Sequence, residues 1–174
     1  MKDELILENL SRDTKVDLYE DILRSGISLR LQVTGRSMAP FLHGGEFLTI
    51  KKVPGSSLHI GDLIFFKIRD GSPLLHRIVK KQSRGDMFVF QTKGDALLGM
   101  DDPVCESDVL GKVCRIEKIV SDDKKEHIDM ESRFQKTINY LLAKISLARS
   151  KTYNAAQRCR LYPSFRCIIK KVLT

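Results

Sequence analysis

The chain has 174 residues, with 30 Lys or Arg against 22 Asp or Glu, a net charge of +8, and a 42% hydrophobic content. That length suits one domain with a short extension, and the composition excludes wholesale disorder. The longest stretches without a charged residue, Ser37–Gly45 and Val53–Gly61, are nine residues each, well short of the roughly 20 that a membrane-spanning helix needs.

Residues 1–28 read as a helical segment, with Leu5, Ile6, Leu10, Val16, Leu18, Ile22 and Leu23 among charges and Gly26 as the stop. Met1–Arg24 is charged throughout, without the apolar centre of a secretory signal. The expected location is therefore cytoplasmic or peripheral to a membrane. Leu29, Leu31 and Val33 then alternate with Arg30 and Gln32, the pattern of a half-buried strand, and run into a Gly- and Pro-bounded turn at Thr34–Pro40.

Short strands follow at Phe47–Val53, Leu63–Ile68, Leu74–Lys80, Met87–Thr92 and Val109–Ile119, with hairpin turns at Asp70-Gly71 and Arg84-Gly85-Asp86. No helix of crossover length separates them, which argues against a parallel α/β sheet. The expected fold is mainly β: a body of short, mostly antiparallel strands over residues 29–120, carrying an N-terminal helix and a helical C-terminal tail. Residues 121–174 are expected to be a polar linker, Ser121–Glu126, followed by that tail.

The tail holds most of the charge. Residues 131–174 contain ten basic residues and one acid, Glu131, so the rest of the chain is nearly neutral. Phe134, Ile138, Leu141, Leu142 and Ile145 recur at steps of three and four, Pro163 breaks the helix, and Phe165–Leu173 repeats the amphipathic pattern. An apolar stripe beside basic residues fits an anionic membrane surface, packing onto the domain, or a further partner. No recognition motif for a specific nucleic acid is present. Cys105, Cys114, Cys159 and Cys167 form no C-x-x-C pair and no zinc spacing. They read as reduced thiols, and no metal or cofactor is expected.

Three sets of residues can carry chemistry. Ser37 lies in the turn after the first strand, where a hydroxyl is presented beside backbone N–H groups. His76 lies on a strand with Leu74 and Ile78. Asp95 and Asp101 flank a loop after the next strand. Each has an ordinary structural explanation alone: a turn serine, a core histidine, carboxylates that cap a loop. Together they compose a Ser, His, Asp triad in an order different from those of chymotrypsin and subtilisin.

The residues around them resemble the type I signal peptidases and the self-cleaving repressor peptidases related to them. Val33-Thr34-Gly35-Arg36-Ser37-Met38-Ala39-Pro40-Phe41-Leu42 is similar to the serine box of that superfamily, and Gly61-Asp62-Leu63-Ile64-Phe65-Phe66 to its second box. Leu75-His76-Arg77-Ile78-Val79 resembles the box in which the endoplasmic-reticulum and archaeal-type enzymes carry histidine in place of lysine. Phe90-Gln91-Thr92-Lys93-Gly94-Asp95, through Asp101-Asp102, resembles the final acidic box. The resemblance covers roughly half the chain. It implies a β-rich serine endopeptidase that binds an extended leader or signal peptide by strand addition, with Ser37 as nucleophile and His76 as base. It further implies Asp101 as the orienting acid, Asp95 in support, and the Ser37 N–H as an oxyanion donor. Asp102 fits the orienting position as well as Asp101.

The chain departs from the pattern at several points. No stretch of these residues is long and apolar enough for the family's membrane anchor, Gly35 stands where many members have serine, and Ala96-Leu97 and Gly45-Glu46 replace the usual Asn-Asn and Gly-Asp. Two other readings compete. A self-cleaving regulator needs a DNA-binding module, and residues 1–28 are acidic, with four basic residues against seven acids. A catalytically silent peptide-binding module would not need all of Ser37, His76 and the two acids. Because the four boxes end before residue 120, the tail is expected to be dispensable to the site.

Overall fold

A computed structural model describes residues 11–121 and 124–161. The expected positions Leu5, Ile6, Leu10, Pro163 and Phe165–Leu173 lie outside the described residues. The architecture is mainly β: among the described residues, an eight-stranded antiparallel sheet has one α-helix before it and one after. Helix α1 spans Arg12–Arg24. The Ser11 side chain caps it by accepting from the Thr14 N–H, and Val16 and Leu23 turn into the core.

The strands are β1 (Leu29–Gln32), β2 (Phe47–Lys51), β3 (Leu63–Lys67), β4 (Pro73–Arg84), β5 (Met87–Lys93), β6 (Val104–Cys105), β7 (Val109–Ser121) and β8 (Lys124–Asp129). They pair in the order β1-β2-β7-β3-β4-β5-β6, with β8 added to β7. Strand β3 lies inside the sheet and carries four successive buried residues. Leu63 and Phe65 join the core formed with Val16, Leu48, Ile50 and Val113, while Ile64 and Phe66 join a second core with Leu58, Ile78 and Phe90. An unbroken apolar run is what period-two alternation yields when both faces of a strand are covered.

Of the expected linker Ser121–Glu126, the described residues Ser121 and Lys124–Glu126 are instead strand. Strand β8 pairs with β7 from Arg115↔Asp129 to Ser121↔Lys124, so a boundary at residue 120 falls within a continuous sheet. Ladder hydrogen bonds can order a polar segment that carries no apolar periodicity. Helix α2 follows at Arg133–Leu161, with the Ser132 hydroxyl accepting from the Gln135 N–H. It docks in an unexpected orientation. Asn139, Ala143, Ser146 and Ser150, at steps of four, three and four, face the body and are buried. The expected apolar face points largely away: Phe134, Leu141 and Ile145 are 77%, 54% and 58% exposed.

Candidate active site

The turn after β1 begins at Ser37. The Ala39 N–H donates to the Arg36 carbonyl at 3.1 Å and the Leu42 N–H to the Met38 carbonyl at 2.9 Å. Met38 and Leu42 are buried in the first core, which fixes the turn and leaves the Ser37 side chain partly exposed beside them. On the second wall, β4 registers His76 opposite Ile64 of β3. His76 is 2% exposed and its ring lies 6.5 Å, centroid to centroid, from that of Phe66.

Ser37, His76 and Asp101 form one hydrogen-bonded line. His76 Nδ1 lies 2.7 Å from Asp101 Oδ2, and His76 Nε2 lies 3.0 Å from Ser37 Oγ. A carboxylate only accepts, so Nδ1 carries the proton toward Asp101, Nε2 is left as the acceptor, and the Ser37 hydroxyl donates to it. This order leaves the serine proton pointing at a base. Strand β5 holds the acid: the Thr92 hydroxyl donates to Asp101 Oδ2 at 2.7 Å, the Asp101 N–H donates to the Thr92 carbonyl at 3.0 Å, and the Gln91 side-chain amide donates to the Asp101 carbonyl. Asp102, the sequence alternative, is 74% exposed and pairs with Arg69 at 3.6 Å.

Asp95 does a different job. It is engaged at two points by Arg77, with Nη2 to Oδ2 at 2.7 Å and Nε to Oδ1 at 2.9 Å, and the Arg77 side chain is fully buried. A guanidinium fork matches a carboxylate in this geometry, so the pair is rigid as well as neutral overall. Arg77 Nη1 donates further to the Gly61 carbonyl at 2.9 Å and to Asn139 Oδ1 of α2 at 3.2 Å. The support that Asp95 gives therefore runs through the residue next to the histidine.

Two glycines are required by close approach. A Cβ on Gly94 would lie 2.7 Å from the Ser37 carbonyl oxygen and 2.9 Å from His76 Nε2. A Cβ on Gly61 would lie 2.7 Å from the backbone of Asn139 and Tyr140, and its φ of +103° is itself unfavourable to a side chain. The loop after β5 is also tied to the serine turn by the Ala96 N–H, which donates to the Ser37 carbonyl at 2.9 Å.

Lys93, one residue before Gly94, is fully buried, and that burial holds its amine below the ordinary lysine range. Its Nζ donates to Ser146 Oγ of α2 at 2.6 Å and to the Gly94 carbonyl at 3.3 Å, so it faces the helix while His76 faces the serine. Sequence reasoning missed the roles of Arg77, Thr92, Lys93, Gly94, Asn139 and Ser146. Arg77, Thr92, Lys93 and Gly94 sit inside the boxes already singled out. Asn139 and Ser146 lie in the tail and carry no signal beyond being polar at helical spacing. The tail is nevertheless joined to the residues around the site, because α2 supplies acceptors to Arg77 and Lys93.

A cleft of about 490 Å³ opens at Ser37. Leu31, Val33 and Thr34 from β1 and its extension form one wall, Tyr19 of α1 another, and Leu74 and Leu75 of β4 lie opposite. Among the described residues strand β1 ends the sheet order, and its outer side is an edge of the kind on which a peptide can add a strand. The chain matches no protein-family model and no curated protein.

Proposed function

We propose that this chain is a serine endopeptidase of the signal peptidase I type, cleaving leader or signal peptides bound in extended form. The observation that carries the reading is the Ser37–His76–Asp101 hydrogen-bonded line, at 3.0 Å and 2.7 Å, at the mouth of a cleft bordered by a sheet edge. Ser37 Oγ attacks the scissile carbonyl carbon while its proton passes to His76 Nε2. Asp101 accepts the Nδ1 hydrogen bond and stabilises the imidazolium that forms. The Ser37 N–H donates to the oxyanion. The histidine then gives the proton to the leaving nitrogen as the C–N bond breaks, and water, deprotonated by the same histidine, hydrolyses the acyl-enzyme.

The competing self-cleaving regulator draws less support. Helix α1, which a DNA-binding module would have to include, places Val16 and Leu23 in the core of the body and Tyr19 on the cleft. A silent binding module would have no use for the directed hydrogen bonds on His76. The test is incubation of the purified chain with a panel of leader peptides and with a serine-directed phosphonate probe, beside Ser37→Ala. Cleavage and labelling that vanish in Ser37→Ala support the proposal. Absence of both from the unaltered chain overturns it.

A further inference from the structure

Helix α2 is mounted with its sides reversed relative to an ordinary surface helix. Its small and polar residues, Asn139, Ala143, Ser146 and Ser150, are buried, and its large apolar residues face out. A surface helix that turns apolar side chains to solvent over several turns has an occupant for that stripe. Phe134, Leu141 and Ile145 form its ridge, with Ile138 and Leu142 half-buried beside it. At 100° per residue, Arg133, Lys144 and Lys151 fall together on one flank and Arg149 on the other, all exposed. Lys144 Nζ lies 5.0 Å from the Tyr140 ring centroid, a basic and aromatic pair at the border between the stripe and the polar side.

Charge selects the occupant. Residues 131–161 carry seven basic residues and one acid, Glu131. That acid is spent at the foot of the helix, on Lys112 at 2.8 Å and Lys136 at 2.9 Å. Two copies meeting stripe to stripe would bring two uncompensated basic flanks together. An anionic bilayer supplies both an apolar layer for the ridge and negative headgroups for the flanks. No helix among the described residues is long and apolar enough to cross a membrane, so the geometry is that of a helix lying in the interface plane. We propose that the outer face of α2 docks this protein on anionic lipid bilayers, with the docked inner face holding the body against it. Pro40 and Phe41 of the serine turn line a groove with Leu142 and Ile145, so the docking stripe borders the turn that carries Ser37.

The test is co-sedimentation of the full chain with vesicles of phosphatidylcholine alone or mixed with phosphatidylglycerol, at low and high salt. Binding is expected only to the mixed vesicles and is expected to weaken with salt. Lys144→Gln/Lys151→Gln should bind about 30-fold more weakly, two basic residues at about 1 kcal/mol each. Leu141→Glu/Ile145→Glu should abolish binding while the circular dichroism and thermal transition of the chain are kept, since both positions are exposed. Equal binding to neutral vesicles, no binding to either, or binding unaffected by the Leu141 and Ile145 changes would overturn the proposal. So would a dimer in solution that those two changes dissociate.

Discussion

Arg77 reaches Asn139 across 62 positions of sequence, donating from Nη1 to the Asn139 side-chain oxygen at 3.2 Å inside the protein. Through this contact the C-terminal helix meets the residue that follows His76 and clamps Asp95. Asn139→Ala leaves a buried guanidinium hydrogen short of an acceptor. It should cost about 1–3 kcal/mol of stability, measured by urea denaturation. The Ser37 labelling rate of the folded fraction should change far less.

The two acids are expected to separate by phenotype. Asp101→Asn should fold normally and lose about 10⁴-fold in turnover, because an amide cannot hold the imidazole tautomer that leaves Nε2 free to accept. Asp95→Asn strips the charge opposite a fully buried Arg77 and should cost about 3–5 kcal/mol of stability. Asp102→Asn should alter neither. Peptide cleavage rates and denaturation midpoints of the three variants check the assignment, and a kinetic loss at Asp102 with none at Asp101 would reverse it.

Gly94→Ala places a methyl group 2.7 Å from the Ser37 carbonyl and 2.9 Å from His76 Nε2. One of the two must move by several tenths of an ångström or more, so the serine–histidine line opens. Activity should fall on the order of 100-fold, as for other displacements of about 1 Å at a reacting centre. Steady-state cleavage of a leader peptide reads the loss directly, and Gly99→Ala is the control, since no atom lies within 4 Å of a Cβ there.

Glu46 gives the pH dependence of the serine loop. Burial raises its carboxyl, but the N–H groups of His43, Glu46 and Gly44, with Lys118 nearby, pull it further down, so it lies below the ordinary value of 4.5. The His43 and Gly44 N–H groups each donate to it at 2.8 Å. A carboxyl whose folded pKa is depressed contributes stability above its unfolded pKa and loses it as pH falls through the folded one. Glu46→Gln should therefore cost about 1–2 kcal/mol at pH 7. The gap between the two proteins should narrow as pH falls below about 4.5, read from denaturation midpoints across that range.

Much of the body was legible because local chemistry and global packing agree there. Alternation at Leu29–Val33, the Asp70-Gly71 and Arg84-Gly85-Asp86 turns, and the apolar run Leu63–Phe66 each specify strands or hairpins within a few residues of sequence. Ser37, His76 and the acidic loop were likewise marked by their surroundings, whereas the choice between Asp101 and Asp102 was not. Adjacent residues on a loop differ only in the direction their side chains take, and here the β5 contacts of Thr92 and Gln91 turn Asp101 inward and leave Asp102 in solvent. The same limit applied to the tail. Periodicity identified a helix and an apolar stripe but carried no sign for which face meets the body. That choice was made by Arg77 and Lys93, two buried cations opposite each other on β4 and β5 and far from α2 in sequence, which need oxygen acceptors, and by Gly61, which admits the helix backbone only where no Cβ intervenes. Tertiary structure alone satisfies groups so far apart in sequence, and in doing so it sends the polar face of α2 inward and its apolar stripe out.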